Sequence, residues 1–238
     1  MAKHNIHQIK RIEARESIGS YGAWRKSFCE KYLQLLEEIR NNTHNGLLNI
    51  LDLKKETITC RKGCYFCCYQ HITTSLAQGI VIVNYLYSNE MLLKQFLRNY
   101  PKWRHSGKNI SDTIDHVREE ALSTSQSLAS AISSTKPLSE RYFQMSIPCP
   151  FLVNSICAIY CVRPMCCSSH YSVSPPEWCE ATNPNEPTIH EVIPKDVDIY
   201  RLAELDGPQL TLFELTLPTL IYRLLTEGLS SLLKSNSK

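Results

Sequence analysis

Apolar side chains fall at helical spacing over much of the chain. Phe28, Tyr32, Leu35, Leu36 and Ile39 share one face, which predicts an amphipathic helical segment over roughly residues 8 to 42, ending near Asn45-Gly46. Ser75 with Gln78 three positions on reads as a capping box that opens a helix through Ile80, Val83, Leu86 and Tyr87. A second stripe, Ile110, Ile114, Val117, Ala121, Leu128 and Ala131, predicts a long helix that stops before Lys136-Pro137, because the residue before a proline is pushed away from helical geometry. Residues 144 to 194 carry Pro148, Pro150, Pro164, Pro175, Pro176, Pro184, Pro187 and Pro194 without clean periodicity, so irregular loop with short turns is expected there. Helical spacing returns after Pro194 with Val197, Tyr200 and Leu205. The apolar run from Leu210 to Leu233 is interrupted by Pro218, which suits the first turn of a new helix. There is no internal repeat, no low-complexity tract and no convincing alternating strand pattern.

Charge adds little to this picture. In 238 residues, 26 Lys and Arg stand against 23 Asp and Glu, and a net charge of +3 is no footprint of a nucleic-acid binder or a polybasic membrane protein. Eight basic residues (Lys3, Lys10, Arg11, Arg15, Arg25, Lys26, Lys31, Arg40) against five acidic ones in the first forty account for the excess and read as a solvated helix face. The N-terminus lacks the apolar stretch of a signal peptide, and no segment is long and charge-free enough to span a bilayer, so a cytoplasmic protein is expected. In that reducing compartment the eleven cysteines are not a disulfide framework, and tight C-x-x-C spacings point to metal or catalysis.

The first cysteine group reads Cys60-Arg-Lys-Gly-Cys64-Tyr-Phe-Cys67-Cys68, with Gly63 placed to let the backbone fold tightly. The second comprises Cys149-Pro-Phe-Leu, Cys157-Ala-Ile-Tyr-Cys161-Val-Arg-Pro-Met-Cys166-Cys167, and Cys179-Glu. Four thiolates satisfy one tetrahedral zinc or one cubane iron–sulfur cluster, so the inventory exceeds one ordinary site. Side chains at adjacent positions diverge, so Cys67 and Cys68 are unsuited to be two simple terminal ligands of one ion; two adjacent centres or one polynuclear centre is expected. Bringing the groups together closes a loop of about eighty residues, a cost that grows slowly with length and that metal binding of about 10 kcal/mol offsets. Metal loading and folding are therefore expected to be coupled. Buried free cysteines acting as small hydrophobes are the bland alternative; that reading is preferred for Cys29 and open for Cys161. The whole reads as a mainly α protein, a helical domain with an irregular cysteine-rich metal-bound loop layer. It divides into an N-terminal helical segment (1–57), a cysteine-cluster metal-binding domain (58–194) and C-terminal helices packed on it (195–238).

At these residues the chain resembles the YkgJ-type cysteine-cluster family, described as a zinc- or iron-chelating domain. The resemblance rests on the spacing of Cys60, Cys64, Cys67 and Cys68, on Cys149-Pro-Phe-Leu, on Cys157-x-Ile-Tyr-x-x-Arg163-Pro164-x-x-Cys167, and on Ser172 and Cys179-Glu180, and spans roughly residues 58 to 180. It implies Cys60, Cys64, Cys67, Cys68, Cys149, Cys157, Cys167 and Cys179 as metal ligands, with Cys29, Cys161 and Cys166 as extras. The chain departs from the pattern at Ser168, where arginine commonly follows the cysteine, and at Gln78, where an acidic residue is frequent. Flagellin lysine N-methylases look like relatives with a similar cluster, which admits a protein methyltransferase using S-adenosylmethionine. Cys60, Cys64 and Cys67, with Phe66 before the last, also have the form of the radical S-adenosylmethionine loop, but the strand–helix barrel that chemistry needs is not patterned here.

His71 and His170 lie close to the cysteine groups, as ligands, as groups tuning a metal, or, the preferred reading, as polar turn residues. Arg163 is placed to donate to cluster sulfurs or loop carbonyls, Tyr160 to pack under the loop, and Asp196 and Asp198 to open the next helix. No Ser/His/Asp order, P-loop or dinucleotide fingerprint is present. Three functional classes follow: a zinc, iron or iron–sulfur protein in metal handling or redox, a cluster-dependent enzyme, and a structural zinc module that binds a protein partner.

Overall fold

The computed structural model describes residues 2–123, 128–206 and 214–235. The chain is mainly helical: α1 (Ala2–Glu16), α2 (Gly19–Lys54), α3 (Leu76–Tyr87), α4 (Glu90–Ser123), α5 (Leu128–Gln144), α6 (Asp196–Asp206), α7 (Leu217–Glu227) and α8 (Leu229–Ser235). Between them lie short strands, β1 (Thr73–Ser75), β2 (Leu152–Val153), β3 (Ile156–Cys157), β4 (His170–Ser172), β5 (Ile189–Glu191) and β6 (Glu214–Thr216). They pair antiparallel as β1–β6, β2–β3 and β4–β5.

The first helical segment breaks at Ser17-Ile18 and then runs past its expected end. Helix α2 continues through Asn45-Gly46, because Leu47 and Leu51 extend the buried stripe, and packing of an apolar face outweighs the weak propensity of two residues. It stops where Lys55 turns left-handed (φ 58°) and its N–H bonds the Asp52 and Leu51 carbonyls. The second stripe is divided between α4 and α5, with the junction at 124–127 outside the described residues. Pro137, expected as a stop, lies inside α5. Hydroxyls bond carbonyls of the turns beside it, Thr135 to Ala131 at 2.9 Å and Ser139 to Thr135 at 3.4 Å, while buried Tyr142 anchors the helix beyond.

Ser75 caps α3 as expected, its Oγ accepting from Gln78 N at 3.3 Å. Pro218 sits in the first turn of α7, and Asp196 and Asp198 in that of α6. Of the apolar run from Leu210, residues 210–213 lie outside the described residues and Glu214–Thr216 form β6. Strands β1 and β6 pair Thr73 with Thr216 and Ser75 with Glu214, and each leads directly into a helix. Those helices touch at Gly79, where a Cβ would come within 2.9 Å of Leu224 Cδ1 and 3.0 Å of Leu220 Cδ2.

One core draws on the whole chain: Ile9 from α1, Phe28 and Leu36 from α2, Ile82 from α3, Phe96 and Ile114 from α4, and Leu220 and Leu224 from α7. The proline-rich stretch is irregular, with short 3₁₀ turns at Tyr160–Val162, Met165–Ser168 and Pro176–Cys179. It is pinned by Phe151, stacked on Phe96 at 4.7 Å, and by buried Ile159 and Val162, each burial worth about 1.5–3 kcal/mol. Asn99 Nδ2 adds a hydrogen bond to the Pro150 carbonyl at 3.0 Å. No helix among the described residues is long and apolar enough to cross a membrane.

Candidate metal centre

The first cysteine group is a pair of tight turns. Gly63 adopts φ +96°, a conformation costly for any residue with a Cβ, and Cys64 N bonds Arg61 O at 3.0 Å. A 3₁₀ turn, Phe66–Tyr69, follows, with Cys68 N on Tyr65 O at 2.9 Å. Adjacent residues on such a turn are rotated by about 120°, so Cys67 and Cys68 present their sulfurs to different sides.

Backbone hydrogen bonds tie this turn to the second group. Cys149 N donates to Cys68 O at 2.8 Å, Thr59 N to Ser172 O at 2.9 Å, and Ser172 N to the Cys60 sulfur at 3.1 Å. The Ser172 hydroxyl also acts on the Cys179 thiol, lowering it against the effect of burial, so one strand residue bears on two cysteines separated widely in sequence.

The thiols interact in two groups that share Cys67, which acts on Cys60 and Cys179 and also on Cys149, Cys157 and Cys167. Cys60 feels the charges of Cys64 and Cys67, and Cys179 those of Cys60, Cys64 and Cys67. On the other side Cys68 hydrogen-bonds both Cys157 and Cys67 and feels Cys149, while Cys167 feels Cys149 and Cys67. The Cys68 thiol holds its proton well above the usual thiol range, chiefly through its hydrogen bond with Cys157; the same bonds lower Cys157 and Cys67. Burial is the main force raising Cys60, Cys149 (to about 12) and Cys179. Cys167 is raised first by its hydrogen bond with Cys166 and then by burial. All eight expected ligands thus lie in one interacting group. Among the described residues, however, no three Cys, His, Asp or Glu side chains converge closely enough to hold a metal ion. The donor set suits zinc or iron in number and softness; the sulfurs are gathered rather than closed on a point.

The remaining cysteines divide by environment. Cys29 is fully buried against α3, burial raising its thiol to about 12, and it serves as core. Cys161 is exposed and hydrogen-bonds Tyr85. Cys166 donates to the Thr73 carbonyl at 3.1 Å.

Two arginines bring positive charge to the thiols. The Arg163 guanidinium lies over the Tyr160 ring at 4.2 Å and acts electrostatically on Cys60, Cys67 and Cys157. Its own carbonyl accepts from the Arg40 guanidinium, and Arg40 Nε donates to Ser168 Oγ at 3.1 Å beside Cys167. Tyr160 therefore serves as a shelf for Arg163, with part of its ring exposed, rather than packing under the loop. Arg40, expected on a solvated helix face, follows Leu36 by four positions and so lies half-buried along the same stripe toward the loop. Arg25 is buried likewise, paired with Glu16 at 3.6 Å.

The two departures from the family pattern have structural partners. Gln78 Oε1 accepts from Met165 N at 3.0 Å and Thr74 Oγ1 at 3.3 Å, holding α3 to the turn that carries Cys166 and Cys167. Ser168 is buried between Arg40 and the Met165 carbonyl. His170 lies at the surface near Glu191, 3.5 Å from Nε2 to Oε1. His71 is half-buried, its Nε2 3.0 Å from Thr216 Oγ1 and its ring edge-on to Tyr142. Two clefts reach the cysteine region, one of about 220 Å³ at Trp103, Ile147 and Cys149, the other of about 270 Å³ at Thr73, Gln78 and Cys166. Both fall below the ~300–1,000 Å³ usual for small-molecule sites. No protein-family model, curated protein or solved structure matches the chain.

Proposed function

We propose that this chain is a cysteine-cluster metal-binding protein of the YkgJ type, taking zinc or iron, including iron as an iron–sulfur cluster, and acting in metal handling or redox in the cytoplasm. The carrying observation is that Cys60, Cys64 and Cys179 on one side and Cys68, Cys149, Cys157 and Cys167 on the other meet at Cys67. Cys67 acts on Cys60 and Cys179 and also on Cys149, Cys157 and Cys167, so two adjacent centres and one polynuclear centre bridged at Cys67 are variants of this reading. The irregular stretch would then be a metal-bound layer held on the helices. Zinc would supply closed scaffold sites; an iron–sulfur cluster would supply an electron-accepting centre. Arg40 and Arg163 would offset the negative charge of thiolate ligands.

A structural zinc module binding a protein partner is the second reading. Ile193, Val197 and Tyr200 are 73%, 58% and 71% exposed, and the first two line an open groove of about 810 Å³ against α2. The methyltransferase reading rests on the resemblance alone, and the small clefts lend it no support.

Cys64→Ser and Cys157→Ser, purified anaerobically and assayed for metal per chain, test the reading. Two centres predict that each variant loses part of the metal and melts lower; a polynuclear centre predicts total loss in both. Unchanged metal and melting in both would contradict it.

A further inference from the structure

The fold builds a polar chain from three distant elements. Asp115 on α4 is 7% exposed and accepts from Thr216 twice, from the backbone N at 2.6 Å and from Oγ1 at 2.7 Å. Its other oxygen, Oδ2, is inaccessible and has no partner. Arg118, one turn along the helix, is paired instead with Glu214. A buried carboxylate left half-satisfied and without a cation is costly.

What that carboxylate directs is a hydrogen position. Because the Thr216 hydroxyl gives its hydrogen to Asp115, Oγ1 has only lone pairs for His71, 3.0 Å away. His71 Nε2 must therefore carry the ring hydrogen, and Nδ1 must carry the lone pair. An imidazole whose far N–H is held by an oxygen chain ending in a carboxylate is the arrangement that backs metal-bound histidines, where it fixes tautomer and orientation and raises ligand basicity. Burial, aided by Arg118, lowers the His71 pKa to about 4, which keeps the ring neutral as a ligand must be.

His71 also adjoins the first cysteine group in sequence. It follows Cys68 by three residues and precedes by two Thr73, whose carbonyl receives the Cys166 thiol. Its ring packs on Tyr142, 5.2 Å between centroids, and the Tyr142 phenol feels the Cys149 charge.

We propose that His71 is a nitrogen ligand of the metal centre through Nδ1, with Thr216 and Asp115 as positioning residues that hold it in the Nε2–H form. The inference rests on the metal-binding reading and adds a ligand outside the cysteine set. The ion it would join is zinc or iron on the Cys68 side.

The test is nitrogen-15 NMR of the histidine rings in the full reduced chain, before and after addition of zinc alone. His71 should be an Nε2–H tautomer without metal, and its Nδ1 signal should move to a metal-bound position as zinc enters. Asp115→Leu, which removes the acceptor of the Thr216 hydrogen, and Thr216→Val should release the tautomer and weaken zinc binding about 10- to 100-fold, whereas Thr216→Ser should behave as wild type. Zinc bound with the Nδ1 signal unmoved would overturn this assignment and leave the metal reading standing. Wild-type protein that takes up no metal would overturn both.

Discussion

At Asp115 burial outweighs the two hydrogen bonds from Thr216, and the carboxyl pKa rises from 3.8 to about 6. The folded chain then binds the extra proton between those values, so stability falls as pH rises from about 4 to about 6 and stays lowered above. Asp115→Asn keeps an acceptor for Thr216 without the charge. It should match wild type near pH 4 and exceed it at pH 7.5 by up to about 3 kcal/mol in urea unfolding. Lower stability than wild type at pH 7.5 would contradict this. Arg40 works in the opposite sense, adding a cation beside Cys167 and bonding Ser168 and the Arg163 carbonyl. Arg40→Met removes both donors with little change of bulk; it should cost about 1–3 kcal/mol and release zinc faster to a chelator. Equal zinc retention would show that the arginine does not serve the thiolates.

Helices were legible wherever apolar residues recur over several turns, as in α2 and α4, because burial of one face fixes the period. Their ends were less so: Asn45-Gly46 and Pro137 are stop signals that neighbouring core contacts override. The strands escaped notice because two or three residues leave no alternation to read. The cysteine turn is readable from Gly63 and the spacing alone, whereas Arg40 reaches Ser168 from α2, and Asp115 and Thr216 reach His71 from α4 and β6, through contacts more than a hundred residues apart in sequence. Phe151 shows what holds the irregular stretch to the helices, since it is an aromatic anchor two residues after Cys149. Phe151→Ala should lower stability by about 3–5 kcal/mol in thermal unfolding and loosen the segment from Cys149 to Cys179 in hydrogen exchange. Protection unchanged in that segment would place its anchorage elsewhere.

Across the whole molecule, the helices form one core and bring two cysteine groups from opposite sides of α3, α4 and α5 in sequence into one interacting set. Among the described residues the thiols are not closed on a point; an ion that drew its ligands in would add its binding energy to folding. Anaerobic purification, followed by elemental analysis and a visible spectrum of the reduced protein, addresses this most directly. The account predicts zinc or iron at one or more ions per chain. The iron form should be brown and bleach on reduction, and removal of metal by a chelator should lower the melting temperature. Reduced, folded protein with no bound metal, melting alike with and without chelator, would contradict it.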